Sequence, residues 1–133
     1  MRERIYISRS LANSRKIINI TEVETILQEY NRSYLLEELS FREQVTLFAK
    51  AEAFVAPHGA GLTNLMFAQP GTFVLELFEP ALNAPCFYIL SGCMKHNYHY
   101  LIGKSHVDSS ETLNNIYIST DKLNQALKQI FSE

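Results

Sequence analysis

Short runs of β-branched and aromatic residues alternate with amphipathic stretches along the whole chain, and this alternation restricts the fold more than any other feature. Ile5-Tyr6-Ile7, Tyr34-Leu35-Leu36, Ala53-Phe54-Val55-Ala56, Phe73 to Phe78, Tyr98 to Ile102 and Ile116-Tyr117-Ile118 read as strands. Helical patterns lie between them. Thr21 and Glu24 have the spacing of a capping box, with Val23, Ile26, Leu27 and Tyr30 following at helical intervals. Ser40 and Glu43 form a second box, and Phe41, Val45 and Phe48 supply that helix's apolar stripe. Leu62, Leu65 and Met66 suggest a short helix after His58-Gly59-Ala60-Gly61, and Phe87 to Met94 suggests another. A polar loop, Lys104 to Glu111, precedes the last strand. Thr120 or Asp121 caps the final helix, which faces inward through Leu123, Leu127, Ile130 and Phe131. Such alternation builds βαβ units around a mainly parallel sheet, and near-continuous apolar strands fit a sheet covered on both faces. The expected architecture is a Rossmann-like three-layer α/β sandwich.

Composition narrows the function classes. The 133 residues suit one domain. Twelve basic against 14 acidic residues, net −2, exclude a general nucleic-acid coat or a polybasic membrane binder, so any anion site must be local. No apolar run approaches the ~20 residues that cross a bilayer. Cys86 and Cys93 share a helical face and read as buried thiols, with neither disulfide nor zinc-site spacing.

In parallel α/β sheets, ligands bind outside the carboxyl ends of the strands. That rule selects Ser8 to Asn19, Pro57 to Gly61 and the segment after Phe78. In His58-Gly59-Ala60-Gly61-Leu62-Thr63-Asn64, a strand ends and a helix begins. Unpaired N–H groups at such a start suit a phosphate, although the glycines also fit a purely structural tight turn. His58 either meets a diphosphate oxygen and assists the leaving group, or holds the turn. Arg9 and Arg15 either fork onto phosphate oxygens or are surface charges; Arg2, Arg4 and Lys16 read as surface charges. Glu76 interrupts an apolar strand and needs a partner, either ribose hydroxyls or a loop arginine, with Glu79 as the nearby alternative. His96, His99 and His106 have no metal-ligand spacing and read as packed or solvated. Gly-x-Gly-x-x-Gly would need glycine at Asn64, which weakens an oxidoreductase cofactor half. There is no Walker A sequence, no Gly-x-Ser-x-Gly elbow and no Asp-x-Asp, the only aspartates being Asp108 and Asp121. No metal site is expected. A non-catalytic nucleotide-binding or interaction module remains an alternative.

Arg4-Ile-Tyr-Ile-Ser-Arg9, Arg15-Lys-Ile-Ile-Asn19, Phe41-Arg-Glu-Gln44-Val45 with Phe48-Ala49-Lys-Ala51, His58 to Ala68, and Val74-Leu-Glu76-Leu77 resemble the signature of glycosyltransferase family 61 in order and spacing. Tyr98 and Tyr100 close the pattern, so the resemblance spans residues 4–102. It implies one half of a GT-B enzyme, the carboxyl-terminal, donor-binding part, with the amino-terminal acceptor domain missing. It further implies inverting transfer from a UDP-sugar to a saccharide or glycoconjugate acceptor without a metal, as in capsular polysaccharide biosynthesis for bacterial relatives. Residue by residue, Arg9, Arg15, His58, Gly59, Ala60, Gly61 and Asn64 would line the diphosphate, and Glu76 would face the ribose.

Overall fold

The computed structural model describes residues 3–8, 17–29, 31–80, 84–106 and 115–131. Five strands form one sheet: β1 (Glu3–Ile7), β2 (Arg32–Tyr34), β3 (Ala51–Pro57), β4 (Phe73–Phe78) and β5 (Asn97–Ile102). Their order is β2-β1-β3-β4-β5, and every pairing is parallel. Helices α1 (Ile20–Leu27), α2 (Phe41–Lys50), α3 (Cys86–Met94) and α4 (Thr120–Phe131) connect or cover these strands. Two apolar clusters, one on each face, make the core. Val23 and Leu27 of α1 pack with Leu123, Leu127 and Ile130 of α4 against Tyr6, Val55, Leu75 and Leu77. On the other face, Phe48 of α2 and Phe87 of α3 join Ile5, Phe54 and Val74. Phe48 stacks on Phe54 with centroids 4.4 Å apart, seating α2 on the middle of the sheet. The expected Rossmann-like architecture is present, with a sheet that is wholly parallel.

Differences from expectation lie mostly at element ends. The Thr21–Glu24 capping box does not form; α1 begins two residues earlier, after Asn19, with no side-chain cap. Asn19 is engaged elsewhere. Its amide donates to the Ile118 carbonyl at 2.7 Å and accepts from the Ile118 N–H at 3.0 Å, tying the entry of α1 to the far end of the chain. Tyr30 lies outside the described residues. Strand β2 stops at Tyr34, and Leu36–Glu38 turn into a short 3-10 helix. The Ser40–Glu43 box is complete. Phe41, however, is 68% exposed, because it occupies the first helical position, short of the core; it meets Phe67 edge-on instead.

The segment after His58 is a 3-10 helix, Ala60–Phe67, and not an α-helix. Its periodicity explains why Leu62, Leu65 and Ala68, three residues apart, are buried while Met66 is exposed. A Cβ at Gly61 would sit 2.7 Å from Leu36 Cδ1, so a side chain there would push the end of Leu36 aside. Cys86 and Cys93 are both exposed, contrary to the buried thiols expected, because α3 turns Phe87 and Ser91 inward. The expected polar loop opens as a strand, β6 (Lys104–His106), paired antiparallel with β7 (Asn115–Tyr117). Residues 107–114 and the His106 side chain lie outside the description. Helix α4 starts at Thr120, and the Ser119 hydroxyl before it accepts from the Lys122 N–H at 3.3 Å.

Candidate functional site

The strand order reverses its winding between β1 and β3, and the carboxyl edge at such a switch point opens a crevice. A cleft of about 100 Å³ lies there, lined by Ile7 and Ser8 after β1, Leu36 and Glu37 after β2, and Pro57, Gly59, Gly61 and Leu62 after β3. Two of the three loops selected from the sequence thus border one crevice. Gly59 has φ 176°, ordinary extended backbone, so its glycine is not required by a left-handed turn. Ala60 is exposed beside it. Asn64 is tied to α2, donating to Gln44 Oε1 at 2.7 Å, and Gln44 in turn donates to the Leu36 and Leu39 carbonyls. Asn64 therefore fixes the 3-10 helix relative to α2 and the loop after β2. Arg9 and Arg15 lie outside the described residues; Arg9 follows Ser8, which lines the cleft. Arg4, read from the sequence as a surface charge, is half-buried, pairing with Glu52 at 2.6 Å and lying over the Phe131 ring.

His58 is held more firmly than a turn residue needs to be. Its N–H continues the β3–β4 ladder by donating to the Leu77 carbonyl. Its ring packs between Phe78 and Phe87, with centroids 5.6 and 5.0 Å away. Nδ1 lies 2.5 Å from Glu76 Oε2. Glu76 is completely buried, and the Tyr98 hydroxyl donates to its other oxygen, Oε1. Strand alternation produces this constellation: Glu76 and Phe78 of β4 project to the α3 face, and Tyr98 comes from the neighbouring parallel strand. Burial pushes the Glu76 carboxyl above its ordinary range, and the hydrogen bonds from Tyr98 and His58 oppose that rise. Burial and the adjacent carboxylate together keep the Tyr98 phenol protonated.

The carboxylate expected to face a ribose thus has no exposed surface here. Both of its oxygens are taken, and its partner is a histidine and not a loop arginine. Glu76 can act on a ligand only through its neighbours. Giving Nδ1–H to Glu76 fixes the imidazole and leaves Nε2 as the working nitrogen, able to donate to an oxyanion when protonated or accept a proton when neutral. Tyr98 was legible only as part of a tyrosine pair; a buried acid one strand away was the signal for its role. Among the described residues no group of three or more His, Cys, Asp or Glu side chains could hold a metal ion, and no helix is long and apolar enough to cross a membrane. A larger surface hollow, about 870 Å³, runs along α2 between Glu3 and Lys50, away from this edge.

Comparison with known proteins bears on the same segment. The chain is 31% identical over 71 residues to a Gallus gallus EGF domain-specific O-linked N-acetylglucosamine transferase, covering 53% of this chain and 13% of that protein. It is 34% identical over 65 residues to a beta-1,2-xylosyltransferase of Oryza sativa subsp. japonica, covering 49% and 12%. Against a Tetraodon nigroviridis protein O-linked-mannose beta-1,4-N-acetylglucosaminyltransferase 2 it is 37% identical over 78 residues, covering 56% and 14%. The match therefore takes in about one eighth of the length of these relatives. The family model described as Glycosyltransferase 61 matches residues 1–75, from β1 through the His58 turn, and stops just before Glu76. With more than half of its residues inside that match, the chain belongs to the glycosyltransferase 61 family.

Proposed function

We propose that this chain is the donor-binding part of a glycosyltransferase that moves a sugar, with inversion, from a UDP-sugar to a saccharide or glycoconjugate acceptor. The observation that carries the reading is the Glu76-held His58 beside Gly59 at the switch point of the sheet, in a chain of this family. In this reading the diphosphate lies against the N–H groups at the start of the 3-10 helix. Arg9 and Arg15 neutralise it, since arginine forks match phosphate oxygens and no metal is required. As the anomeric carbon–oxygen bond breaks, negative charge collects on the departing diphosphate. A protonated His58 stabilises that charge through its free ring nitrogen, and Glu76 stabilises the imidazolium. The acceptor, a protein-linked glycan or an extracellular polysaccharide such as a capsule, is held by a further, amino-terminal domain in a GT-B arrangement.

Thermal unfolding with UDP, ADP, NAD and S-adenosylmethionine, in chelator, tests this. UDP at 100 times its Kd should add about 2.7 kcal/mol of stability, and the others little. Arg9→Ala and Arg15→Ala should each weaken UDP by roughly 1–3 kcal/mol, and His58→Ala by that much or less. Unchanged UDP affinity in all three variants would remove the assignment. Stabilisation by ADP or NAD in place of UDP would favour a different nucleotide-binding module.

A further inference from the structure

A second cleft, of about 390 Å³, opens at the same sheet edge between β4, β5 and the start of α3. It is lined by Phe78, Tyr88, Tyr98, Tyr100 and Ile102, with Pro80, Pro85 and the buried acidic residue Glu79 beside them. Tyr88 meets Tyr98 edge-on at 5.5 Å, and Phe78 meets Tyr100 edge-on at 6.4 Å. Tyr88 and Tyr100 are 61% and 62% exposed, so two large rings stand open to solvent at one place. Neither lysine nor arginine is among its described lining residues.

We propose that this aromatic cleft holds the pyranose ring of the donor sugar. The inference rests on the reading of the chain as a donor-binding part and names the subsite that reading leaves open. The strand order puts the switch-point cleft at β1 and β3, His58 at the end of β3, and the aromatic cleft at β4 and β5. Along that edge a nucleotide sugar has its diphosphate at Gly59, its scissile bond at His58 and its sugar at the tyrosines. The lining chemistry agrees. A cleft lined by an acidic residue, Glu79, and by no lysine or arginine disfavours a phosphate and suits the uncharged, hydroxyl-bearing end of the donor. The C–H faces of a pyranose are apolar and weakly positive, matching the negative faces of aromatic rings. The volume sits at the small end of small-molecule pockets, about 300–1,000 Å³, which fits a single sugar unit. Tyr98 connects the subsite to the reacting centre: its ring lines the cleft while its hydroxyl is fixed on Glu76, which fixes His58.

Calorimetric titration of the chain with UDP, UDP-N-acetylglucosamine and UDP-xylose, repeated on Tyr88→Ala and Tyr100→Ala, tests this. Both side chains are largely exposed, so the variants should keep the wild-type melting curve. The tighter-binding nucleotide sugar should bind better than UDP. Each variant should lose about two- to tenfold in affinity for it, the scale of one aromatic contact, with UDP changed less than about twofold. An equal loss for UDP would overturn the proposal, because the cleft would then hold the nucleobase. Unchanged nucleotide-sugar affinity in both variants, or no preference over UDP, would overturn it too, since the cleft would take no part of the donor. A wild-type chain that binds none of the three overturns the donor-binding reading itself. That failure is distinct from UDP binding that ignores the tyrosines.

Discussion

Tyr6 and Glu76 are both buried polar side chains, and each predicts a different effect of substitution. Tyr6, 1% exposed in the inner strand β1, has no hydrogen-bond partner for its hydroxyl among the described residues. Burial, aided by nearby Glu24, pushes the phenol far above its ordinary pKa, so it stays neutral. A buried hydroxyl without a partner costs about 1–3 kcal/mol. Tyr6→Phe should therefore raise stability by about 1 kcal/mol, seen as a higher urea midpoint at unchanged slope. A lowered midpoint would mean that the hydroxyl has a partner outside the described residues. Glu76 is different, because its two oxygens are satisfied while its charge is not solvated. Its raised pKa means that the folded chain holds this proton more tightly than the unfolded chain. The contribution to stability is complete below the ordinary carboxylate value and is lost as pH rises through the raised one. From about pH 4 to about pH 7, the wild type should lose melting temperature relative to Glu76→Gln, which cannot titrate. Parallel curves would show that the pairing with His58 cancels the burial cost. The sequence made it clear that this acid needed a partner. It did not say which, because His58 and Tyr98 are 18 and 22 residues away and only the register of the parallel strands joins them.

The alternation of strands and helices was legible because burial sets it: β4 runs from Phe73 to Phe78 as its apolar run implies, and β3 ends at Pro57. Element ends were less legible, because local signals compete there with tertiary ones. Two capping boxes of equal quality in sequence had opposite outcomes. At Ser40 nothing else claims the side chain, and both reciprocal bonds form, Glu43 N–H to Ser40 Oγ at 3.1 Å and Ser40 N–H to Glu43 Oε1 at 2.9 Å. At Thr21 the bonds of Asn19 to Ile118 start the helix earlier, so Thr21 falls inside its first turn. The pair gives a differential prediction. Ser40→Ala should cost about 1 kcal/mol in chemical denaturation. Thr21→Ala should stay within about 0.5 kcal/mol of wild type. Similar losses in both would show that Thr21 supports α1 in some other way. The 3-10 helix after Gly59 shows the same limit. Leu62, Leu65 and Ala68 fit a period of three as well as an α-helical stripe, and only the exposed Met66 separates the two.

At the scale of the whole molecule, the candidate site was half legible. The loop that follows β3, with His58, Gly59 and Gly61, could be selected because parallel sheets bind ligands at their carboxyl edges, and the switch point between β1 and β3 falls there. The aromatic cleft could not be read in the same way, because its walls come from Phe78, Tyr88 and Tyr100, spread over β4, α3 and β5, and no spacing rule links them. Both clefts open on one edge, and Tyr88 and Tyr100 stand largely exposed to solvent there. Transfer of a sugar needs an acceptor hydroxyl held in line with the anomeric carbon and water kept out. In the proposed reading, a single sheet with its ligand edge open does the first half of that task, holding the donor. This chain by itself should therefore bind UDP and a UDP-sugar yet transfer nothing measurable to a panel of saccharides, with at most trace hydrolysis. Product analysis by mass spectrometry after incubation with UDP-N-acetylglucosamine or UDP-xylose, with and without acceptors, reads this directly. A longer protein that contains the chain and an acceptor domain should restore transfer, and His58→Ala in that protein should then lower kcat more than it raises KM. Efficient transfer by these 133 residues alone would mean that His58, held by Glu76, already receives the acceptor's proton and that no second domain is needed for chemistry.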